Sequence, residues 1–574
     1  MLDLLIIGAG PTGLTAAAEA ARHGLSVRII DANTHASQHS KALVLHSRSL
    51  EVFAAMGLAD RLIQHGQEFR ALNIYANRKS VARIDFRALD WQDALYPFWL
   101  SLPQSETERL LEAHTNALGI MVERQTRLVA LEQSADRVRA TVERTNASGA
   151  VIGHELIEAS WLVGCDGARS TTRKLCAIPF EGDAEDALFI LGDVQIDWDM
   201  AAHEGHTFMA DAGILLVVPM PQPGFYRLIA HMPALPSGTE PKITLALLQA
   251  LMDERTGMAT RLHDLRWHSS FSVKHLVADQ HRLGRVVLAG DAAHIHSPVG
   301  GQGLNTGIQD AYNLIWKLAL VHHGKGSPAL LDSYAHERHA IAESTIKQVR
   351  FATRIVTLKN PLSRRLRNQL GSFLLKTGLI HHRMGRSVGM LDLCYQPSAV
   401  IREELQPGRH TRQLRTGLAK RSNAPQAGMR APNVSFRQSD ATTHTLLPYL
   451  YGTSHILLLF QGQQSKQPSE TLRQIQALVQ QQYSDHITCY LITPNTHIQG
   501  MWPGQVIIDD QAASLHRHYS GGIEALYLIR PDQYIGYRSQ PVRLESFSEY
   551  LHQTLNGQGD SHAILSIGGQ STIT

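Results

Sequence analysis

The sequence has few cysteines and no long apolar segment. Four cysteines, Cys165, Cys176, Cys394 and Cys489, are widely spaced among 574 residues and form no C-x-x-C pair. Without that pair there is no sequence sign of a zinc knuckle or a redox dithiol, and the pattern is typical of a reducing, cytoplasmic compartment. No run of about 18 or more apolar residues occurs, so we expect no membrane-spanning helix.

The sequence also lacks a strong excess of charge. Its 54 Lys and Arg nearly balance its 51 Asp and Glu, for a net charge of +3. No Lys/Arg block is interleaved with aromatic residues, so we expect no nucleic-acid partner. The length predicts two to four domains at roughly 150 residues each.

The first residues of the chain predict a dinucleotide-binding unit. LDLLIIGAG is a buried strand that enters glycines, GLTAAAEAARHG is a helix, and LSVRIID is a second strand that ends in Asp31. Gly8 permits a tight turn, Gly10 lets a pyrophosphate approach the backbone, and Gly13 lets helix and strand pack closely. Asp31 suits the hydroxyls of an adenosine ribose. This motif alone fits NAD and FAD equally.

A second glycine-rich loop, LAGDAAHIHSPVGGQGLNTG, begins at residue 288. It joins a short apolar strand to a helix, but no strand with a terminal acid follows, so a second dinucleotide fold is not expected. One extended cofactor, FAD, explains both loops: its ADP half lies in the first and its flavin half in the second. Asp291 would accept hydrogen bonds from ribityl hydroxyls, and the N–H groups of the helix start would stabilise a reduced flavin. The remaining loop residues assigned to the cofactor are Pro298, Gly301, Gly303, Leu304 and Asn305.

Three segments, IIGAGPTGL, VGCDGARSTTRK and the second loop, occur in an order that resembles the aromatic flavoprotein monooxygenases, the p-hydroxybenzoate hydroxylase and phenol hydroxylase group. The resemblance covers roughly residues 1–400. It implies an enzyme that uses FAD, with NADPH or NADH as a transient reductant. It further implies O₂-dependent hydroxylation of a phenolic or polyketide-like aromatic through a flavin C4a-hydroperoxide. The cofactor contacts that it adds are Asp166, Gly167, Arg48, Gln104 and, in the place of a family arginine, Lys41.

The resemblance predicts an α/β protein of three parts. A Rossmann-like FAD-binding domain (1–70, 104–180 and 280–400) carries an inserted β-sheet substrate domain (71–103 and 181–279). A linker (401–427) leads to a thioredoxin-like domain (428–574) that lacks C-x-x-C and is expected to be dispensable for chemistry. Within the substrate sheet, the residues expected to line the pocket are Phe208, Leu215, Val217 and Arg227.

Several alternatives stay open at this stage. The same scaffold also supports epoxidation, Baeyer–Villiger insertion and antibiotic degradation, and a non-catalytic flavin-binding scaffold or sensor is an alternative of another class. No residue is identified as the base that activates the substrate. His294 and His296 form H-x-H without a third ligand, so no metal site is expected. The oligomeric state, including a homodimer, is open.

Overall fold

A computed structural model describes residues 1–37, 42–89, 91, 93–211, 213–233, 241–295, 297, 300–356, 381–405, 424–437, 442–498, 500–509 and 513–556. The chain divides into two compact units. Unit 1 is Met1–Ile315 with Arg338–Asp392, and unit 2 is Trp316–Glu337 with Leu393–Thr574.

The strands are β1 Leu2–Ile7, β2 Val27–Ile30, β3 Val44–Leu45, β4 Gln67–Phe69, β5 Ala71–Ala76, β6 Lys79–Asp85, β7 Trp99–Ser101, β8 Val122–Glu123, β9 Thr126–Gln133, β10 Val138–Thr145, β11 Val151–Gly164, β12 Phe180–Asp197, β13 Glu204–Ala210, β14 Gly213–Pro219, β15 Phe225–Pro233, β16 Arg261–Ala278, β17 Arg282–Leu283, β18 Val286–Leu288, β19 His294–Ile295, β20 Arg402–Leu405, β21 Ser435–Arg437, β22 Thr443–Thr445, β23 His455–Phe460, β24 Ile487–Thr493, β25 Gln505–Ile508, β26 Ala525–Ile529 and β27 Ile535–Gln540. The helices are α1 Pro11–Arg22, α2 Ser47–Ala55, α3 Ala59–His65, α4 Gln104–Ala117, α5 Thr171–Leu175, α6 Leu245–Thr256, α7 Gln302–His322, α8 Ala329–Val356, α9 His381–Val388, α10 Glu470–Gln482 and α11 Leu544–Thr554.

The nucleotide-binding sheet of unit 1 has the order β17-β18-β11-β1-β2-β8, and β9 and β10 extend it beside β11. Its central strand β1 runs parallel to both β11 and β2. Residues Leu4–Ile7 are almost fully buried because they fill the middle of the sheet. A continuous apolar strand with helices around it is the pattern of a parallel α/β sheet. The predicted α/β class with a Rossmann-like FAD-binding domain is confirmed.

A second eight-stranded sheet of unit 1 has the order β19-β16-β12-β15-β14-β13-β5-β6. Side chains alternate between the two faces of each strand. One face packs against α6, where Leu215 and Val217 join Leu248 and Met252 in one core cluster. The opposite face carries Leu216 and Ile229, which are only partly buried and pack against a different cluster. The sheet therefore has one sealed face and one that is less completely covered.

Unit 2 is built on a sheet of order β20-β27-β26-β23-β24-β25, with a core that includes residues of α10 and α11. Strands β23, β24 and β25 are parallel, and β26 and β27 return antiparallel. Arg402–Leu405 pairs with β27, so the interval expected to be a linker begins with a strand, and 406–423 lie outside the described residues. The thioredoxin-like assignment and the predicted domain limits stay predictions.

A buried ion network also belongs to unit 2. Glu337 accepts hydrogen bonds from Lys317 Nζ at 2.7 Å and from Arg530 at 2.9 and 3.1 Å. Arg530 also pairs with Asp532, and all four charged side chains are at most 2% exposed. Because removal of one partner leaves a buried charge uncompensated, the network is expensive to break. Arg530 belongs to the segment 428–574, which the sequence predicted to be dispensable for chemistry. That expectation did not take this buried contact into account.

Candidate active site

The first loop is shaped by contacts that only glycine permits. Gly8 has φ +98°, and a Cβ built on it would lie 2.4 Å from the carbonyl oxygen of Cys165. A Cβ on Gly13 would lie 1.9 Å from the carbonyl oxygen of Gly8. Gly10 caps α1 and has open space where its Cβ would be. The open side of Gly10 and the N–H groups at the helix start fit a pyrophosphate.

The two glycine-rich loops meet at Thr12. Its Oγ1 lies 2.6 Å from the Cβ position of Gly290 and 2.3 Å from that of Gly307. Gly290 has φ +60° and precedes Asp291 directly. Two loops nearly three hundred residues apart thus converge within van der Waals distance. They are suited to the two ends of one extended molecule.

A third segment, Cys165–Gly167, closes the same corner. The Asp166 carboxylate accepts from the Ser170 hydroxyl at 2.6 Å and from the Thr172 backbone at 2.9 Å, so it orders the turn that enters α5. Gly167 adopts φ +75°. Burial, with the Asp166 charge beside it, raises the pKa of the Cys165 thiol well above its usual range. Cys165 is therefore a packing residue here.

The second loop is held by side chains of α7. Asp310 Oδ2 accepts from the Gly290 amide at 2.9 Å and from His294 Nε2 at 2.7 Å, while Oδ1 accepts from Arg338 Nε at 2.6 Å. Burial acts to raise the pKa of Asp310, but the charges of His294 and Arg338 hold it below its usual range. Asp291 itself is exposed, which suits a group that contacts a ligand.

Asn305 ties the start of α7 to β3. Its Oδ1 accepts from the His46 amide at 2.9 Å, and its Nδ2 donates to the carbonyls of Val44 and Gly301 at 2.9 and 2.8 Å. The side chain of Asn305 is therefore used within the protein. Gly303 and Leu304 lie in the first turn of α7, where backbone N–H groups have no intrahelical acceptor.

His46 lies beside this loop and was not singled out from the sequence. Its Nε2 lies 3.6 Å from the Cβ position of Gly301, and its ring stacks on Trp99 with centroids 4.9 Å apart. Burial lowers the pKa of His46 to about 4, although a backbone hydrogen bond to Gly300 opposes the shift. The imidazole is therefore neutral at ordinary pH.

The other predicted cofactor residues have these positions. Asp31 accepts from the Ala9 and Asn33 amides at 2.7 and 2.8 Å, so its carboxylate braces the first loop. Arg48 is buried and pairs with Glu51 at 3.0 Å. Gln104 begins α4, and its Nε2 donates to Glu108 at 2.8 Å. Lys41 and Pro298 lie outside the described residues. The assignment of all these residues to cofactor binding stays a prediction.

The predicted substrate residues occupy less favourable positions. Phe208, Leu215 and Val217 are at most 1% exposed in the core beneath α6. That packing gives no support to their predicted role, which stays a prediction. Arg227 is on the opposite face, where it forms a two-pronged pair with Asp193 at 2.7 Å and reaches the Ala42 carbonyl at 3.3 Å. Neighbouring residues of a strand point to opposite faces of the sheet, so Arg227 lies on the face opposite to Phe208, Leu215 and Val217. Composition gave no sign of which face is buried beneath α6.

The opposite face holds an aromatic cluster, defined here as Phe69, Phe86, Trp99, Leu216 and Ile229. Phe86 and Trp99 have ring centroids 4.9 Å apart, and Phe69 and Phe86 are 5.4 Å apart. Trp99 also stacks on His46. The cluster consequently extends from the second sheet to the second glycine-rich loop.

Fold and site together define an α/β protein in which two glycine-rich loops converge, an arrangement that suits one extended dinucleotide cofactor. Residues 1–349 match the family model described as FAD binding domain. The chain belongs to this FAD-binding family of flavin-dependent aromatic monooxygenases. The predicted family, enzyme class and cofactor, FAD, are confirmed. Among the residues that the structure describes, no helix is both long and apolar enough to cross a membrane.

Two named relatives are similar in sequence. The chain is 36% identical to 6-methylpretetramide 4-monooxygenase of Streptomyces rimosus over 361 aligned residues. The alignment covers 63% of each chain. The chain is 34% identical over 357 residues to rifampicin monooxygenase of Streptomyces venezuelae, covering 61% of this chain and 71% of that one. Among solved structures, the OxyS anhydrotetracycline hydroxylase from Streptomyces rimosus has 28% identity and a TM-score of 0.71, covering 96% of this chain and 99% of that one.

Proposed function

We propose that the chain is an NAD(P)H-using hydroxylase of a polycyclic, phenolic or polyketide-like aromatic compound. The observation that carries this proposal is the position of the aromatic cluster beside the second glycine-rich loop. Relatives named for 6-methylpretetramide and anhydrotetracycline support a fused-ring substrate. The antibiotic-degrading alternative is favoured by the relative named for rifampicin.

The residues of the chain would contribute binding, orientation and exclusion of water. The first loop would hold the pyrophosphate at the start of α1, and Asp291 would accept from the ribityl hydroxyls. When bound, FAD supplies the redox and oxygen-transfer chemistry after reduction by NAD(P)H. Trp99 and its apolar neighbours would stack a planar ring system and keep water from it.

His46 would contribute a neutral hydrogen-bonding group at the junction of cofactor and substrate. Its low pKa keeps it uncharged across the physiological range. A neutral imidazole can accept a hydrogen bond from a phenol hydroxyl and orient it without becoming charged in an apolar site. We therefore propose His46 as a hydrogen-bonding group for the substrate hydroxyl that sequence reasoning did not find.

A neighbouring pair of strand residues tests the substrate face. Leu216 belongs to the aromatic cluster side and Val217 to the core beneath α6. We expect Leu216→Ala to raise the KM for aromatic substrates about 5- to 30-fold, from the loss of roughly 1–2 kcal/mol of apolar contact. Val217→Ala should lower the thermal stability and leave KM nearly unchanged.

The measurement is substrate-stimulated NAD(P)H oxidation over a panel of simple phenols and tetracyclic polyketides, with mass spectrometry of each product. A product with one added oxygen and an intact ring system supports hydroxylation. A cleaved or expanded ring would favour the degrading or Baeyer–Villiger alternatives. FAD binding without stimulated oxidation by any aromatic compound would favour the non-catalytic scaffold.

A further inference from the structure

The feature with the most consequences outside the glycine motifs is the buried carboxylate of Asp310. The side chain is fully buried in α7, eight positions after the helix begins. Three donors converge on it: the Gly290 amide, His294 Nε2 and Arg338 Nε, at 2.9, 2.7 and 2.6 Å. A buried carboxylate needs such donors because isolated burial of its charge is very unfavourable.

Arg338 alone would have neutralised Asp310, so the other two donors call for a separate explanation. The first is the amide of Gly290, the residue directly before Asp291 in the chain. Gly290 has φ +60°, and a Cβ at this position would lie 2.6 Å from Thr12 Oγ1, so the turn requires glycine. Because Asp310 holds the Gly290 N–H, it anchors the start of the turn that presents Asp291.

The second donor brings the substrate sheet into the same cluster. His294 lies in β19, and its backbone pairs with Val277 of β16. Arg338 additionally donates to the Thr306 carbonyl at 3.2 Å, in the first turns of α7. One carboxylate, that of Asp310, therefore joins the second glycine-rich loop, the start of α7 and the edge of the second sheet.

We propose that Asp310 is a positioning residue that sets the orientation of Asp291 through the Gly290 amide, and so controls how tightly the flavin half of FAD is held. The inference rests on the proposed contact of Asp291 with the ribityl chain. Asp310 itself is fully buried, so its effect on FAD would pass through the loop.

The experiment compares Asp310→Asn with two other variants of the full-length chain. Each protein is stripped of FAD and titrated with FAD and, separately, with ADP, using flavin fluorescence and calorimetry. We expect Asp310→Asn to weaken FAD binding about 10- to 50-fold, from loss of charge-assisted hydrogen bonds. ADP affinity, which reports the first loop, should change less than about 2-fold.

Glu337→Gln is the matched control, because Glu337 is an equally buried carboxylate whose cationic partners, Lys317 and Arg530, lie outside the second loop. If Asp310→Asn acts only by general destabilisation, Glu337→Gln will weaken FAD binding as much, and the proposal fails. Should Asp310→Asn not fold, Arg338→Lys keeps the charge and alters the geometry. That variant should show the same split between FAD and ADP, at a smaller magnitude.

A double-mutant cycle with Asp291→Ala separates this proposal from the ribityl contact itself. If Asp310 acts through Asp291, Asp310→Asn adds less than about 2-fold in the Asp291→Ala background. Full additivity overturns the positioning role and leaves the contact of Asp291 intact. Unchanged FAD affinity in Asp291→Ala overturns the ribityl contact, and the positioning role with it. Unchanged FAD affinity in Asp310→Asn alone overturns only the positioning role.

Discussion

The two glycine-rich loops of the FAD site achieve close packing by different means. In the first, backbone lies against backbone: Gly13 faces the Gly8 carbonyl, and Gly8 faces that of Cys165. In the second, side chains from α7 hold the loop: Asp310 binds the Gly290 amide and Asn305 binds the Gly301 carbonyl. The shape of the first loop thus depends mainly on close backbone contacts at its glycines, whereas that of the second depends on side chains that hold its backbone.

The largest expected effect is a loss of stability from a substitution in the first loop. Gly13→Ala should destabilise the protein by at least about 3 kcal/mol, because its Cβ would lie 1.9 Å from the Gly8 oxygen and backbone must move. Thermal unfolding and retained flavin measure this. Gly10→Ala is the control: nothing lies within 4 Å of its Cβ position, so it should weaken FAD binding and leave stability almost unchanged. Equal destabilisation by both substitutions would contradict the steric account.

The next effect concerns the second loop. Asp291→Ala should weaken FAD binding by about 1.5–3 kcal/mol, or roughly 10- to 150-fold, through loss of charge-assisted hydrogen bonds. Because Asp291 is exposed, the unfolding midpoint of the FAD-free chain should not move. Titration with FAD and differential scanning of the stripped protein test the two statements. A lower midpoint with unchanged affinity would show that the second loop, like the first, is mainly structural.

The smallest effect is a pH dependence of stability that comes from His46, which lies beside the second loop. Burial lowers the folded-state pKa of His46 to about 4, below its ordinary value of 6.5. Protonation therefore opposes folding: the contribution of His46 is complete above about pH 6.5 and is lost as the pH falls towards 4, on the order of 1–3 kcal/mol. His206 is shifted in the same direction, so the parent protein must be compared with His46→Gln.

Unfolding midpoints of the parent and His46→Gln, measured from pH 7.5 to about 4.5, provide the test. The variant should lose less stability than the parent over this window. Parallel curves would mean that His46 does not titrate with folding. Gly10→Ala should retain the pH dependence of the parent, since the first loop contributes no histidine.

The contrast between the loops also explains which parts of the site were predictable. Strand, glycines and helix of the first loop follow one another in sequence, so βαβ geometry and the role of Gly13 could be derived directly. The Gly-Asp turn of the second loop was recognisable, but its supports were not. Asp310 is 20 positions from Gly290, and Asn305 is about 260 positions from Val44 and His46. The alternation of a single strand could not tell Leu216 from Leu215.

A signal for these supports was present in α7. Asn305, Gln309, Asn313 and Lys317 recur every four residues in α7, Asp310 lies next to this row, and all five are at most 3% exposed. Polar residues at that spacing share one helix face. When the neighbouring faces are apolar, such a row indicates a buried polar network rather than a solvated surface.

The ion network of unit 2 also bears on how the chain folds while it is being synthesised. Glu337 and Arg530 are separated by 193 positions. At a ribosomal elongation rate of roughly 5–20 residues per second, Arg530 is made about 10–40 s after its partner. Throughout that interval Glu337 has Lys317 as a cationic partner but not yet Arg530, in helices whose final surroundings have not yet been synthesised. A nascent chain that stalls in this window would expose surfaces that chaperones recognise, even though every residue of the two cofactor loops has already been translated.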